Sequence, residues 1–237
     1  MESAFEFLAL QPPGWGGNLL RGLASTIQIA LGAYALGLCL GFLGALGKIH
    51  GGPVLRWSLE IYTTLIRAVP ELVLILLLYY AGTDLLNAAL TNLGFERVNI
   101  NGLWAGVYVI GFVQGAYSTE VFRGAINAVS HQQVEAAKSI GMSRSQIYRR
   151  ITIPLMLPFA LPGLSNLWLI TTKDTALLAV VGFSELALET KQAAGATKEY
   201  LLFYLAAGAL YLALTLVSTL LFSLLERRLR RGEARLS

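Results

Sequence analysis

Long apolar stretches alternate with short polar intervals along most of this chain, and a single amphipathic passage breaks the rhythm. The apolar stretches run at about 19–46, 57–82, 103–122, 155–172 and 200–225. A helix needs roughly 20 apolar residues to cross hydrocarbon, so the pattern predicts five crossing helices and an all-α integral membrane protein. In the first stretch Ala33, Gly37, Gly41 and Ala45 recur every fourth residue, a spacing of small side chains that lets a second helix approach closely in lipid. The second carries Glu60, Thr64, Arg67 and Glu71 at intervals of four, three and four, which puts them on one helical stripe, with Pro70 removing a backbone donor beside it. The third holds Gln114, Tyr117 and Ser118, then Glu120 near the base Arg123. Pro154, Pro158 and Pro162 open the fourth, which is expected to be kinked or irregular there, and Asn166 follows. Lys173-Asp174-Thr175 then interrupts the run; the reading is a break and a short helix dipping back, with Asp174 or Thr175 as its N-cap. Residues 83–102 read as a polar exposed loop and 184–199 as a polar external segment. Residues 1–17 lack the basic start of a cleaved signal and read as a short external leader.

Charges at bilayer depth are costly and normally face a pore or a partner. Arg67, Glu71, Gln114, Tyr117, Ser118 and Asn166 are therefore the candidates for a translocation pathway. Arg67 and Glu71, one turn apart, equally suit a structural ion pair.

The amphipathic passage covers about 130–150. Ser130 with Gln133, and Ser143 with Gln146, have capping-box spacing, and Gly141 between them suits a left-handed helix end. Two short helices joined by a glycine turn result, with Glu135, Ala136 and Ala137 in the first and Arg144, Arg149 and Arg150 in or after the second. A glycine turn before a basic helix also resembles a DNA-reading module. Apolar stretches close in on both sides, however, and leave no linker to reach a groove. The passage reads as a docking element at a membrane face, and no nucleic-acid partner is expected.

Composition agrees: 55% of residues are hydrophobic, 14% are charged, and the mean hydropathy is +0.61, against roughly 25% charged residues in soluble domains. The lone Cys39 excludes a disulfide framework or a thiolate cluster. Twelve of the 18 lysines and arginines fall after the first stretch, around the docking element and in the tail. By the positive-inside rule these segments are cytoplasmic, so the N-terminus is expected outside and the C-terminus inside. The net charge of +4 then speaks of topology and anionic lipid. No glycine-rich loop ending in Gly-Lys-Ser or Gly-Lys-Thr is present, so the chain is not expected to hydrolyse nucleotide itself.

The run Glu135-Ala136-Ala137, Gly141, Ile151, Ile153-Pro154 resembles the EAA loop of permease subunits of bacterial ATP-binding-cassette (ABC) importers, with Ile153 where the family pattern has leucine. The likeness extends over nearly the whole chain. Residues 64–72, 115–117, 122–125, 161–163 and 173–177 are similar to the histidine, arginine and opine uptake branch, whose members tend to carry an acid at the position of Glu71. The resemblance implies a type I permease fold with a cytoplasmic coupling helix, Glu135, Ala136, Ala137, Gly141, Arg144 and Pro154 serving contact with the ATPase. It implies a second permease subunit, alike or identical, an ATPase dimer that binds ATP and magnesium, and an external solute-binding protein. The bacterial inner membrane is the expected location, and cationic amino acids or opines are the expected cargo. Read from the residues alone, an ion-coupled secondary carrier using Arg67, Glu71 and Glu120 stands as the alternative.

Overall fold

The computed structural model describes residues 6–96 and 102–229, and among them all regular elements are helical. In chain order they are α1 (Gly16–His50), α2 (Pro53–Ala68), α3 (Glu71–Asn92), α4 (Gly102–Ala128), α5 (His131–Ser139), α6 (Arg144–Ile147), α7 (Ile153–Asp174), α8 (Leu186–Thr197) and α9 (Tyr200–Leu229). A π-turn at Tyr148–Thr152 joins α6 to α7, and a 3-10 turn at Thr175–Val181 extends α7. Among the described residues four helical runs, Gly16–His50, Glu71–Asn92, Arg144–Val181 and Tyr200–Leu229, are long and apolar enough to cross a membrane. The 27-residue α4 lies at the centre of the bundle, packed by α1, α2, α3 and α7, and is more polar because its neighbours shield it.

The small-residue stripe of α1 forms the closest helix contact. A Cβ on Gly37 would come 2.8 Å from Cγ of Gln114, and one on Gly41 would collide with Ser118. Two helices this close cannot slide past each other without a clash, so α1 and α4 behave as one body.

Beside them the expected second span is not one helix. Val69 precedes a proline and takes an extended backbone, φ −99° and ψ 140°, because the Pro70 ring crowds the helical conformation of the residue before it. Helix α2 therefore stops at Ala68, and α3 restarts with Glu71 in its first turn, where an acid complements the helix dipole. Together α2 and α3 run antiparallel to α4: Glu60 lies level with Glu120, and Ile66 and Leu74 pack on Val113 and Ala116. The helix continues through Thr83 to Asn92, so that part of the expected 83–102 loop is helical. Its Asn99 and Asn101 lie outside the described residues.

Helix α7 is continuous through Pro158 and Pro162. The irregularity falls one turn earlier: the π-turn widens the backbone just before Pro154, where its ring would otherwise press on the preceding carbonyls. At the other end there is no break at Lys173-Asp174. Asp174 keeps a helical backbone and caps nothing, and the chain tightens into the 3-10 turn until Gly182 ends it with φ +85°.

Ion pairs and hydrogen bonds tie both ends of the bundle. At one end Lys48, only 3% exposed, donates to Glu60 at 2.7 Å, to Glu120 at 2.7 Å and to the Thr63 hydroxyl at 2.6 Å. Arg123 adds a bond to Glu120 at 2.7 Å, so α1, α2 and α4 share one charge network. At the other end the polar segment 184–199 folds largely as α8, with Glu185 wholly buried. Its carboxylate accepts from the Leu188 N–H at 2.8 Å, capping α8, and from the hydroxyls of Tyr211 at 3.1 Å and Thr26 at 3.4 Å. That network joins α1, α8 and α9. Phe7, Leu8 and Trp15 pack with the same corner, so the described part of the leader lies against the bundle.

Candidate functional site

Two places gather functional side chains. The first is the surface pair α5–α6. Ser130 starts α5 without a side-chain cap, whereas Ser143 and Gln146 form both halves of the capping box at α6. Gly141, at φ +78°, closes α5: its N–H bonds the Lys138 carbonyl, and the Met142 N–H bonds that of Ala137. This pair of bonds is a Schellman turn, which needs a left-handed residue at the Gly141 position. Glu135, Ala136 and Arg144 are exposed and Ala137 is buried. Lys138 donates to Glu135 at 2.8 Å, and the bond and its charge hold the Glu135 carboxyl below its usual range. Ile140 stands out with 78% of its surface exposed, an apolar knob on a charged face. Pro154 is exposed at the first turn of α7. The pair is tied back to α1 by Tyr148, whose hydroxyl lies 2.7 Å from His50 Nε2 with the two rings edge to face. Nothing in the spacing of His50 and Tyr148 announced this link.

The second place is the break between α2 and α3. Glu71 and Asp174 face each other within hydrogen-bonding reach, and the Tyr117 hydroxyl interacts with Glu71 and Asp174 as well. Arg67 acts on the same Tyr117, and Lys173 on Asp174, both from exposed positions. Among the described residues Arg67 and Glu71 do not form the ion pair that their spacing allows, because the extended Val69 turns Glu71 away from the α2 stripe. Glu71 meets Asp174 instead, far along the sequence on α7. Of the other candidates, Gln114 and Ser118 are buried against Gly37 and Gly41 of α1. They belong to the helix contact, with Gln114 Nε2 and Ser118 Oγ left without hydrogen-bond partners. Asn166 is exposed on α7, two turns before Asp174. Glu71, Asp174 and Tyr117 thus form one cluster, on which Arg67 and Lys173 act through their charge alone. Asp174 was legible only as an acid interrupting an apolar run.

Comparison with known proteins places this architecture. Residues 37–231 match the family described as binding-protein-dependent transport system inner membrane component. The chain is 39% identical over 222 residues to the histidine/lysine/arginine/ornithine transport system permease protein HisQ of Salmonella typhimurium, covering 94% of this chain and 97% of that protein. It is 41% identical over 221 residues to the nopaline transport system permease protein NocQ of Agrobacterium fabrum, covering 92% and 94%. Among solved structures, an amino acid ABC transporter crystallised with histidines superposes with a TM-score of 0.76 at 30% identity, over 90% of this chain and 95% of that one. The family decides between the two transport mechanisms left open by the sequence, against the ion-coupled carrier. The chain belongs to the inner membrane components of binding-protein-dependent transport systems, and is a permease subunit of the ABC importer type.

Proposed function

We propose that this chain forms one membrane half of an ATP-driven importer for cationic amino acids or opines. What supports the reading is the acid pair Glu71–Asp174 at the helix break, set against Arg67 and Lys173. A free amino acid presents a carboxylate and an ammonium, and a cationic one adds a second positive charge. Arg67 and Lys173 complement the carboxylate, and Glu71 and Asp174 the positive groups, with Tyr117 as a neutral hydrogen-bonding wall. The names of HisQ and NocQ point to the same class of cargo. A second permease subunit, like or identical to this one, closes the other side of the pathway. A solute-binding protein delivers cargo at the outer face, and an ATPase dimer holding ATP and magnesium docks on α5–α6.

In this reading the chain crosses the bacterial inner membrane five times, with α2 and α3 together making one kinked crossing, the N-terminus outside and the C-terminus in the cytoplasm. Cysteines placed at the exposed Gln11 and Gln132 in a Cys39→Ala background should react with an impermeant maleimide from opposite sides. Labelling of both from one side would show that the crossings are miscounted.

ATP-driven closure of the ATPases pushes α5–α6, and the Gly141 turn fixes the angle between these helices. A β-branched residue in the left-handed conformation costs at least the ~1–2 kcal/mol that any side chain does there. Gly141→Val should therefore leave the complex assembled but cut transport about tenfold, since 1.4 kcal/mol corresponds to that factor. Stimulation of ATP hydrolysis by the loaded binding protein should fall with it. Gly141→Asn, which tolerates the conformation better, should retain most coupling. Wild-type stimulation and uptake in Gly141→Val would refute the docking role.

A further inference from the structure

Away from the acid pair, an apolar groove of about 270 Å³ lies where α1, α7 and α9 meet. Leu31 and Tyr34 of α1, Trp168 of α7, and Ser218, Leu221 and Leu225 of α9 line it. Its floor is fixed: Tyr34 meets Trp168 edge to face with ring centroids 5.3 Å apart, and the Tyr34 hydroxyl donates to the Leu164 carbonyl at 2.9 Å. Its walls are open, with Leu31 54%, Leu221 61% and Leu225 44% exposed.

The direction of the groove limits what can fill it. From Ser218 to Arg228 the helix α9 rises about 15 Å at roughly 1.5 Å per residue, half of a hydrocarbon core of about 30 Å. Within that length the lining beyond Ser218 is apolar, and at its end the last turn of α9 presents Arg227 and Arg228 next to Glu226. Arg228 lies two turns beyond Leu221, and the helical period puts it on the same stripe as the lining, beyond Leu225. A slot that is apolar through one leaflet and basic where the headgroups begin has the shape and charge of one kind of occupant.

We propose that the groove holds an acyl chain of an anionic phospholipid whose phosphate rests on Arg228. The rigid Tyr34–Trp168 floor makes the slot preformed, so binding orders the lipid without reordering the protein. The site rests on the placement of α9 across the membrane; it uses neither the substrate assignment nor the orientation, and symmetric bilayers remove any dependence on the latter.

The test uses the complete transporter in nanodiscs of phosphatidylcholine, doped at equal mole fraction with phosphatidylglycerol or phosphatidylcholine that carries a diazirine on one acyl chain. After irradiation, crosslinks are mapped to the peptides holding Trp168 and 221–225. Phosphatidylglycerol should label them about fivefold more than phosphatidylcholine, the preference that one arginine near an anionic headgroup confers. Arg228→Gln should bring the two lipids level, and Ser218→Phe, which fills the groove, should remove labelling of Trp168 by either. Equal labelling by both lipids in the wild type would overturn the proposal, as bulk lipid contact only. So would a phosphatidylglycerol preference unchanged in Arg228→Gln. Absence of label from both lipids would also overturn it and would mean that a partner subunit covers this face. Complex yield and ATPase rate, measured on each variant, separate these outcomes from failed assembly.

Discussion

Lys48→Met should cost the bundle about 3 kcal/mol of stability, the lower end of the penalty for removing one partner of a buried ion pair. Lys48 has 3% of its side chain exposed and satisfies Glu60, Glu120 and Thr63 from three directions. Methionine fills the space of the lysine stem and leaves Glu120, 19% exposed, facing Glu60 without the ammonium between them. The loss stays at the low end because Glu60, 64% exposed, can turn to water and Glu120 keeps Arg123. Thermal unfolding of the purified complex measures it. The double variant Lys48→Met with Glu120→Gln should recover part of the loss, since contacting sites are not additive. A Lys48→Met complex as stable as the wild type would show that the network contributes nothing net.

Glu71→Gln should leave assembly intact and lower the ratio of arginine to glutamine uptake about tenfold. The basis is a hydrogen bond between charged groups, worth roughly 1.5 kcal/mol or more. Glutamine keeps the shape of the side chain and removes its charge. Were Glu71 only a structural partner of Arg67, this change would reduce complex yield and spare selectivity, but Glu71 faces Asp174 and Tyr117 instead. Asp174→Asn should act in the same direction. Because the two acids are neighbours, the double variant should lose less than the product of the single effects. Both quantities, yield and uptake ratio, can be read in the same proteoliposomes. An unchanged ratio in either single variant would remove that acid from the pathway.

Several features that depend on neighbours in sequence were legible before the fold was known, although the equally local Ser130–Gln133 box does not form. The Ser143–Gln146 box, the left-handed Gly141 and the small-residue stripe of α1 each follow from the local geometry of one helix. Most of what escaped depends on distant partners, the break at Val69–Pro70 being the local exception. Glu185 was legible only as one residue of a polar segment, and its hydrogen bonds to Thr26 and Tyr211 come from 159 and 26 positions away. The helical count that puts Glu71 on the α2 stripe ignores the extended residue that Pro70 imposes on Val69. Gln114 and Ser118 looked like pathway residues for being polar inside a crossing. Which way they face was set by the glycines of α1, and periodicity within α4 gives no direction relative to another helix.

Helix α1 carries a mechanical consequence of its own. Near its C-terminus it is held by Tyr148 of the surface element, and toward its N-terminus Thr26 reaches the Glu185 network. In between, the interlocked glycines weld it to α4, so the 35 residues, some 50 Å at about 1.5 Å per residue, act as a stiff rod. A displacement of α5–α6 cannot be absorbed by bending along that rod. Transmitted along it, such a push would reach α8, at the opposite end of the bundle, as a tilt of the whole strut.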